Sequence, residues 1–152
     1  MKYILRPMTL DDIPQVIAIE KKSFPTPWSP YAFTCELADN QFAHYLVLAA
    51  AENPSTVLGY GGMWIIIDEA HITNIAIAPA LRGQALGEFL INGMIALARE
   101  KNVARMTLEV RVSNEPAKNL YNRMGFVAAG IRRGYYTDTN EDAIIMWKDI
   151  TN

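Results

Sequence analysis

The residues with the clearest chemical purpose run from Asn74 to Leu90, in the order Asn-Ile-Ala-Ile-Ala-Pro-Ala-Leu-Arg-Gly-Gln-Ala-Leu-Gly-Glu-Phe-Leu. An apolar, strand-like run gives way to a turn of small residues, and the turn opens directly onto an amphipathic helical pattern. The first turn of a helix leaves N–H groups without intrahelical partners, and its dipole favours negative charge. Such a junction suits a pyrophosphate. Small side chains let the backbone approach that ligand closely. It is not a phosphate loop, since no Gly-Lys-Ser/Thr follows, and the dinucleotide fingerprint needs three glycines at a different spacing. An ordinary strand–helix connection is the competing reading. Other reactive side chains point to less. Cys35, the only cysteine, has no evident base partner and reads as buried filler rather than a nucleophile. His44 and His71 fall in strand-like runs with no cysteine or carboxylate at ligand spacing, so both read as structural and no metal site is expected.

These residues need a scaffold, and the pattern supplies one. Tyr3 to Pro7 predicts a short strand. Thr9 stands where a helix N-cap would, with Asp11 and Asp12 in the first turn, and Leu10, Ile13, Val16 and Ile17 carry helical spacing toward Lys22. Two prolines in Phe24-Pro25-Thr26-Pro27-Trp28 end that helix, and Ser29-Pro30 caps a second one that ends near Asp39-Asn40. His44 to Ala51, Val57 to Ile67 and Ala70 to Ala78 read as strands joined by short turns, hence an antiparallel meander. Gly59, Gly61 and Gly62 suggest a bulge or a close backbone approach. Leu86, Leu90, Met94 and Leu97 share a helical face. Met106, Leu108 and Val110 then alternate with Thr107, Glu109 and Arg111, which is strand periodicity. On these grounds alone Glu109 reads as a strand-edge ion pair with Arg111 or a neighbour. Pro116 to Met124 predicts a helix capped by Ser113 or Asn114 and stopped at Gly125. Phe126 to Ile131 and Ala143 to Lys148 predict the last strands, around a polar loop from Arg132 to Asp142.

Composition limits the class of function. A 152-residue chain fits one domain, 1–152, that can hold a core without disulfide or metal. A formal net charge of −2 argues against a nucleic-acid surface, because no clustered basic excess is present. No apolar run is long enough for a membrane span, the opening residues are too short for a signal peptide, and the lone cysteine suits a reducing compartment. The expectation is a cytoplasmic protein without nucleic-acid or membrane partners.

At the Asn74–Leu90 segment the sequence resembles the GNAT superfamily of acyl-CoA-dependent N-acetyltransferases. The pyrophosphate signature there is Gln/Arg-x-x-Gly-x-Gly/Ala, matched by Arg82, Ala85 and Gly87, with Ala85 standing where the superfamily usually has glycine. Three further stretches are similar to one branch, the bacterial RimI family. They are Phe24 to Ser29, then Leu108 to Asn114 with Leu120-Tyr121, then Arg132 to Tyr136 with Glu141 to Met146. Together they cover nearly the whole chain. The resemblance implies a fold that is α/β (α+β), GNAT-like, with a central mixed, mostly antiparallel sheet of about seven strands flanked by about four helices. It also implies transfer of acetyl from the co-substrate acetyl-CoA, with no metal, to a protein or peptide N-terminus: in that branch, the N-terminal alanine of a small-subunit ribosomal protein.

Residue roles follow from the same resemblance. Glu109 matches the general base that takes the proton from the incoming amine. An α-amino group titrates near 7.7–8.0, so about a tenth is already neutral at pH 7 and a weak base suffices. Tyr121 matches the acid that protonates the departing thiolate, although a tyrosine on an apolar helix face is otherwise most often a core residue. Ile75, Ala76 and Ile77 match the strand whose main chain meets the acetyl group. Arg82, Gly83, Gln84, Ala85, Leu86 and Gly87 match the pyrophosphate turn, and Asn114 a further CoA contact. Trp28, Tyr135 and Tyr136 fall in loops that flank the acceptor groove, where they would either bind peptide or simply close the rim. GNAT folds serve many acceptors, so a small amine such as a polyamine, or a CoA-binding module without catalysis, stays open at this point.

Overall fold

Strand pairing follows the alternation of the sequence. The computed structural model describes residues 2–151; Met1 and Asn152, the ends of the expected 1–152 domain, lie outside the described residues. In chain order the elements are β1 (Tyr3–Pro7), α1 (Ile13–Ser23), α2 (Pro30–Ala38), β2 (Ala43–Ala50), β3 (Gly59–Ile66), β4 (Glu69–Ile77), α3 (Leu86–Glu100), β5 (Arg105–Arg111), α4 (Glu115–Arg123), β6 (Val127–Tyr136) and β7 (Glu141–Asp149). The strands form one seven-stranded sheet in the order β1-β2-β3-β4-β5-β7-β6. Every pairing is antiparallel except β4 with β5, which is parallel and spans α3 as its crossover. The sheet is therefore mixed and mostly antiparallel, as expected, with four α-helices among the described residues.

Local chemistry sets the helix starts. Asp12 accepts from both the backbone N and the hydroxyl of Thr9, which closes the turn that leads into α1. Ser29 accepts from Ala32 N with Pro30 in the first helical position, and Asn114 accepts from Ala117 N at α4. Each face of the sheet then buries its own apolar set. Met63, Ala70, Ile72, Met106, Leu108 and Val110 pack under α3 and α4, against Leu90, Ile91, Met94 and Tyr121. Tyr45, Val47, Tyr60 and Ala76 pack under α1 and α2, against Val16, Ile17 and Phe33. Because Glu109 alternates with Leu108 and Val110, it lies on the α1/α2 face.

Two irregularities shape the centre of the sheet. The parallel β4–β5 ladder pairs only Glu69 to His71 with Arg105 to Thr107. Beyond that the strands splay apart, leaving a gap lined by the rest of each. The bulge expected near the glycines is present, but its extra residue is Thr73 on β4, since Gly62 pairs with Asn74 and Met63 with Ile72. Gly62 serves close approach instead: a Cβ there would sit 2.1 Å from the Tyr45 ring.

One expectation is corrected. The polar loop predicted from Arg132 to Asp142 is largely strand. β6 runs on to Tyr136 and β7 starts at Glu141, with a register shift between Arg132 and Tyr136. Arginine and tyrosine side chains hide an edge strand from an apolar-periodicity reading, because half-exposed hairpin positions tolerate them.

Candidate active site

Glu109 is placed by β5 on the face that α1 and α2 cover, beside the gap between β4 and β5. Its side chain is only 7% exposed, and its Oε2 lies 2.6 Å from His71 Nε2 on β4, whose own side chain is 37% exposed. Arg132 Nε stands 3.8 Å from the other oxygen. Burial first, and the Glu109 carboxylate second, push the Tyr135 phenol above its ordinary value. The strand-edge pair with Arg111 does not form. Arg111 instead binds Asp138 with two nitrogens and lies 4.0 Å over the Tyr136 ring. Glu109 is thus a nearly enclosed carboxylate whose firmest partner is an imidazole that reaches solvent.

Tyr121 sits across the sheet, within the α3/α4 core and 6% exposed, its ring edge-to-face with Phe126 at 5.7 Å. Burial chiefly, and the neighbouring Tyr136 in second place, raise its phenol well above the usual range, so it stays protonated at any physiological pH. A carboxylate on one face and a phenol on the other bracket the open sheet. The main chain of the gap is oriented by the pairing of β4 with β3. Ala78 N donates to Leu58 O and Ala76 pairs in register with Tyr60, so these residues turn their backbone groups toward β3. By the alternation of an antiparallel ladder, Ile75 and Ile77 turn theirs toward β5 and the gap. Beside them Asn74, 9% exposed, has a side-chain Nδ2 with no hydrogen-bond partner among the described residues.

The turn before α3 has the features of an anion site. Ala85 N-caps α3 in the left-handed region (φ 61°, ψ 18°), and Gly83 is also left-handed at φ 82° with nothing within 4 Å of where a Cβ would be. The first helical bond runs from Phe89 N to Ala85 O, so the N–H groups just inside the helix are free of such partners. These groups fit a pyrophosphate approaching from the open side of Gly83. The signature residues divide their tasks. Arg82 donates to Ile77 O (3.2 Å) and Ser23 Oγ (2.9 Å), tying the turn to β4 and α1. Leu86 is buried in the core and offers only its backbone. A Cβ on Gly87 would meet Leu120 at 3.1 Å, so this glycine lets α3 pack on α4. Gln84 is exposed on the turn.

Ala85 yields a prediction. A left-handed alanine costs about 1–2 kcal/mol that glycine does not bear. Ala85→Gly is expected to stabilise the fold by up to about 1 kcal/mol, less than the strain relieved because glycine also loosens the unfolded chain, read as a small rise in the thermal midpoint. The KM for an acyl-CoA should stay within about twofold, because the left-handed backbone is already in place without the ligand.

The segment between α1 and α2 meets the β6–β7 hairpin. Thr26 Oγ1, between α1 and α2, donates to Asp138 Oδ2 at the tip of the β6–β7 hairpin (2.9 Å). The Arg111 guanidinium holds that carboxyl down at about 2. Tyr135 and Tyr136 stack edge-to-face at 5.1 Å on the hairpin, while Trp28 packs its ring on Phe33 at 5.2 Å. Sequence reasoning did not pair His71 with Glu109. No spacing rule links it to Glu109, since the residues are 38 positions apart and meet only through parallel pairing across a helix.

Comparison with known proteins fits this geometry. Residues 13–126 match the Acetyltransferase (GNAT) family. A Bacillus subtilis (strain 168) protein is 50% identical over 149 residues, spanning 98% of this chain and 97% of its own; it is provisionally named a ribosomal protein bS18-alanine N-acetyltransferase. The ribosomal protein bS18-alanine N-acetyltransferase of Escherichia coli (strain K12) is 39% identical over 137 residues, 89% of each chain. A crystal structure of the ribosomal-protein-S18-alanine N-acetyltransferase from Escherichia coli superposes with a TM-score of 0.88 at 32% identity, covering 99% of this chain and 96% of that one.

Proposed function

Since this chain belongs to the GNAT family of acetyltransferases, we propose that it transfers the acetyl group of acetyl-CoA to the N-terminal α-amine of a protein, the N-terminal alanine of a small-subunit ribosomal protein being the acceptor that its relatives' names point to. It does so as one domain over 1–152, in the cytoplasm, with no metal, nucleic acid or membrane taking part. The observation that carries the reading is the enclosed Glu109–His71 pair facing the gap between β4 and β5, with protonated Tyr121 on the opposite face.

Acetyl-CoA, the co-substrate, supplies an activated thioester. The turn from Arg82 to Gly87 holds its pyrophosphate, and Asn114 lies against the CoA beside the start of α4. The N–H groups that β4 turns into the gap at Ile75 and Ile77, next to Ala76, polarise the thioester carbonyl. The amine arrives on the α1/α2 face, where Trp28, Tyr135 and Tyr136 border its path. The amine nitrogen bonds to the thioester carbonyl carbon as the C–S bond breaks; Glu109 takes the amine proton and hands it to solvent through His71, and Tyr121 gives its proton to the departing sulfur and regains one from solvent. No acyl-enzyme forms, so Cys35 has no part. An α-amine that is partly neutral at pH 7 suits a carboxylate base.

A panel of amines tests the reading. CoA release is expected with a short peptide that begins with free alanine, and not with the same peptide blocked at its N-terminus or with polyamines. Turnover on polyamines alone would reject the N-terminal acceptor.

A further inference from the structure

Glu20, on the last turns of α1, is 2% exposed and has no cationic partner among the described residues. Its Oε1 accepts from the Tyr60 hydroxyl on β3, and its Oε2 accepts from the backbone N of Trp28 at 2.9 Å. A buried carboxylate satisfied only by neutral donors is an expensive way to fill a core, and apolar residues of similar volume commonly serve stability better. What it does secure is the path of the chain between α1 and α2. That segment has two prolines and no regular hydrogen bonds of its own, so the Trp28 N–H anchor sets its position. The Trp28 ring then rests on Phe33, which meets Tyr60 edge-on at 5.9 Å. Thr26 in the same segment reaches Asp138, and Asp138 is gripped by Arg111, on the same strand and face as Glu109. A molecule approaching Glu109 from the α1/α2 face therefore passes the segment that Glu20 fixes.

We propose that Glu20 is a positioning residue for the acceptor: by bonding Tyr60 and Trp28 N it holds the Phe24–Ser29 segment as one wall of the entry to Glu109. The proposal rests on the acetyl-transfer reading above. The acyl-CoA turn contacts α1 through Ser23 and Arg82 rather than through Glu20, so the wall acts on the acceptor and not on the thioester.

The test is a comparison of Glu20→Ala, Glu20→Gln and Tyr60→Phe, each assayed for KM of the acceptor amine and, separately, of acetyl-CoA. Glutamine keeps the geometry, since its carbonyl accepts from Trp28 N while its amide donates to the Tyr60 oxygen. Glu20→Ala should raise the acceptor KM by about tenfold or more, leaving the acetyl-CoA KM within about twofold. Glu20→Gln should restore the acceptor KM to within about threefold of wild type, and Tyr60→Phe should fall between them. Parallel changes in both KM values, or no change in the acceptor KM, would overturn the proposal. So would a glutamine variant as impaired as the alanine one, because the charge and not the bonding would then matter. Should the alanine variant not fold, Tyr60→Phe, which removes one hydroxyl, carries the same contrast. The assays use whichever amine the wild-type protein acetylates. A wrong acceptor class would show in the wild-type panel, and a wrong role for Glu20 only in the variant ratios.

Discussion

Glu109→Gln is expected to lower kcat/KM for an alanine peptide by about a hundredfold to a thousandfold at pH 7, while the protein keeps its melting temperature and its affinity for CoA. Glutamine has the same shape, and its carbonyl can still face His71 Nε2, so the local structure survives. What it lacks is a basic site. The wild-type carboxylate is nearly enclosed at 7% exposure, so water cannot readily replace it at that position. The deficit should narrow as the pH rises past the range of an α-amine, about 7.7–8.0, because the acceptor then arrives without its extra proton. A deficit constant from pH 6.5 to 9.5, or a loss of CoA binding, would mean that Glu109 serves structure rather than proton transfer. Steady-state rates across pH, with a CoA titration alongside, make the distinction.

Tyr121→Phe should have a smaller effect that falls on kcat alone, about tenfold to a hundredfold. A thiol titrates near 8.5, so a departing thiolate depends less on a general acid than an alkoxide would. The Tyr121 ring packs on Phe126 within the α3/α4 core, and phenylalanine keeps that contact. Burial holds the hydroxyl protonated far above neutral pH, so the wild-type rate should show no alkaline limb assignable to this phenol. An unchanged kcat with a raised acetyl-CoA KM would make Tyr121 a wall of the thioester site instead of its acid.

Much of this was readable in the sequence because it is local. Ser29 and Asn114 announce their helix starts, Gly125 announces the end of α4, and the alternation in β5 already puts Glu109 on the face away from Leu108; Thr9 precedes a 3-10 turn, Leu10–Asp12, and α1 itself starts only at Ile13. The motif around Arg82 and Gly87 marks the turn before α3. It did not reveal that Ala85 adopts a left-handed backbone or that Arg82 spends its side chain on Ile77 and Ser23. What stayed hidden depends on long-range pairing. His71 meets Glu109 only because β4 and β5 run parallel for three residue pairs before splaying. Thr26 meets Asp138 across 112 positions of chain. The part of the β6–β7 hairpin that carries Tyr135 and Tyr136 reads as a loop in the sequence, because its polar residues break the apolar alternation that marks a strand.

Transfer to an N-terminal amine is decided by one peptide that carries both a free N-terminal alanine and an internal lysine. After incubation with acetyl-CoA, fragment masses locate the acetyl group. A single acetyl is expected on the alanine nitrogen, lost when Glu109 is replaced by glutamine; acetyl on the lysine side chain, with the terminus left free, would overturn the N-terminal assignment.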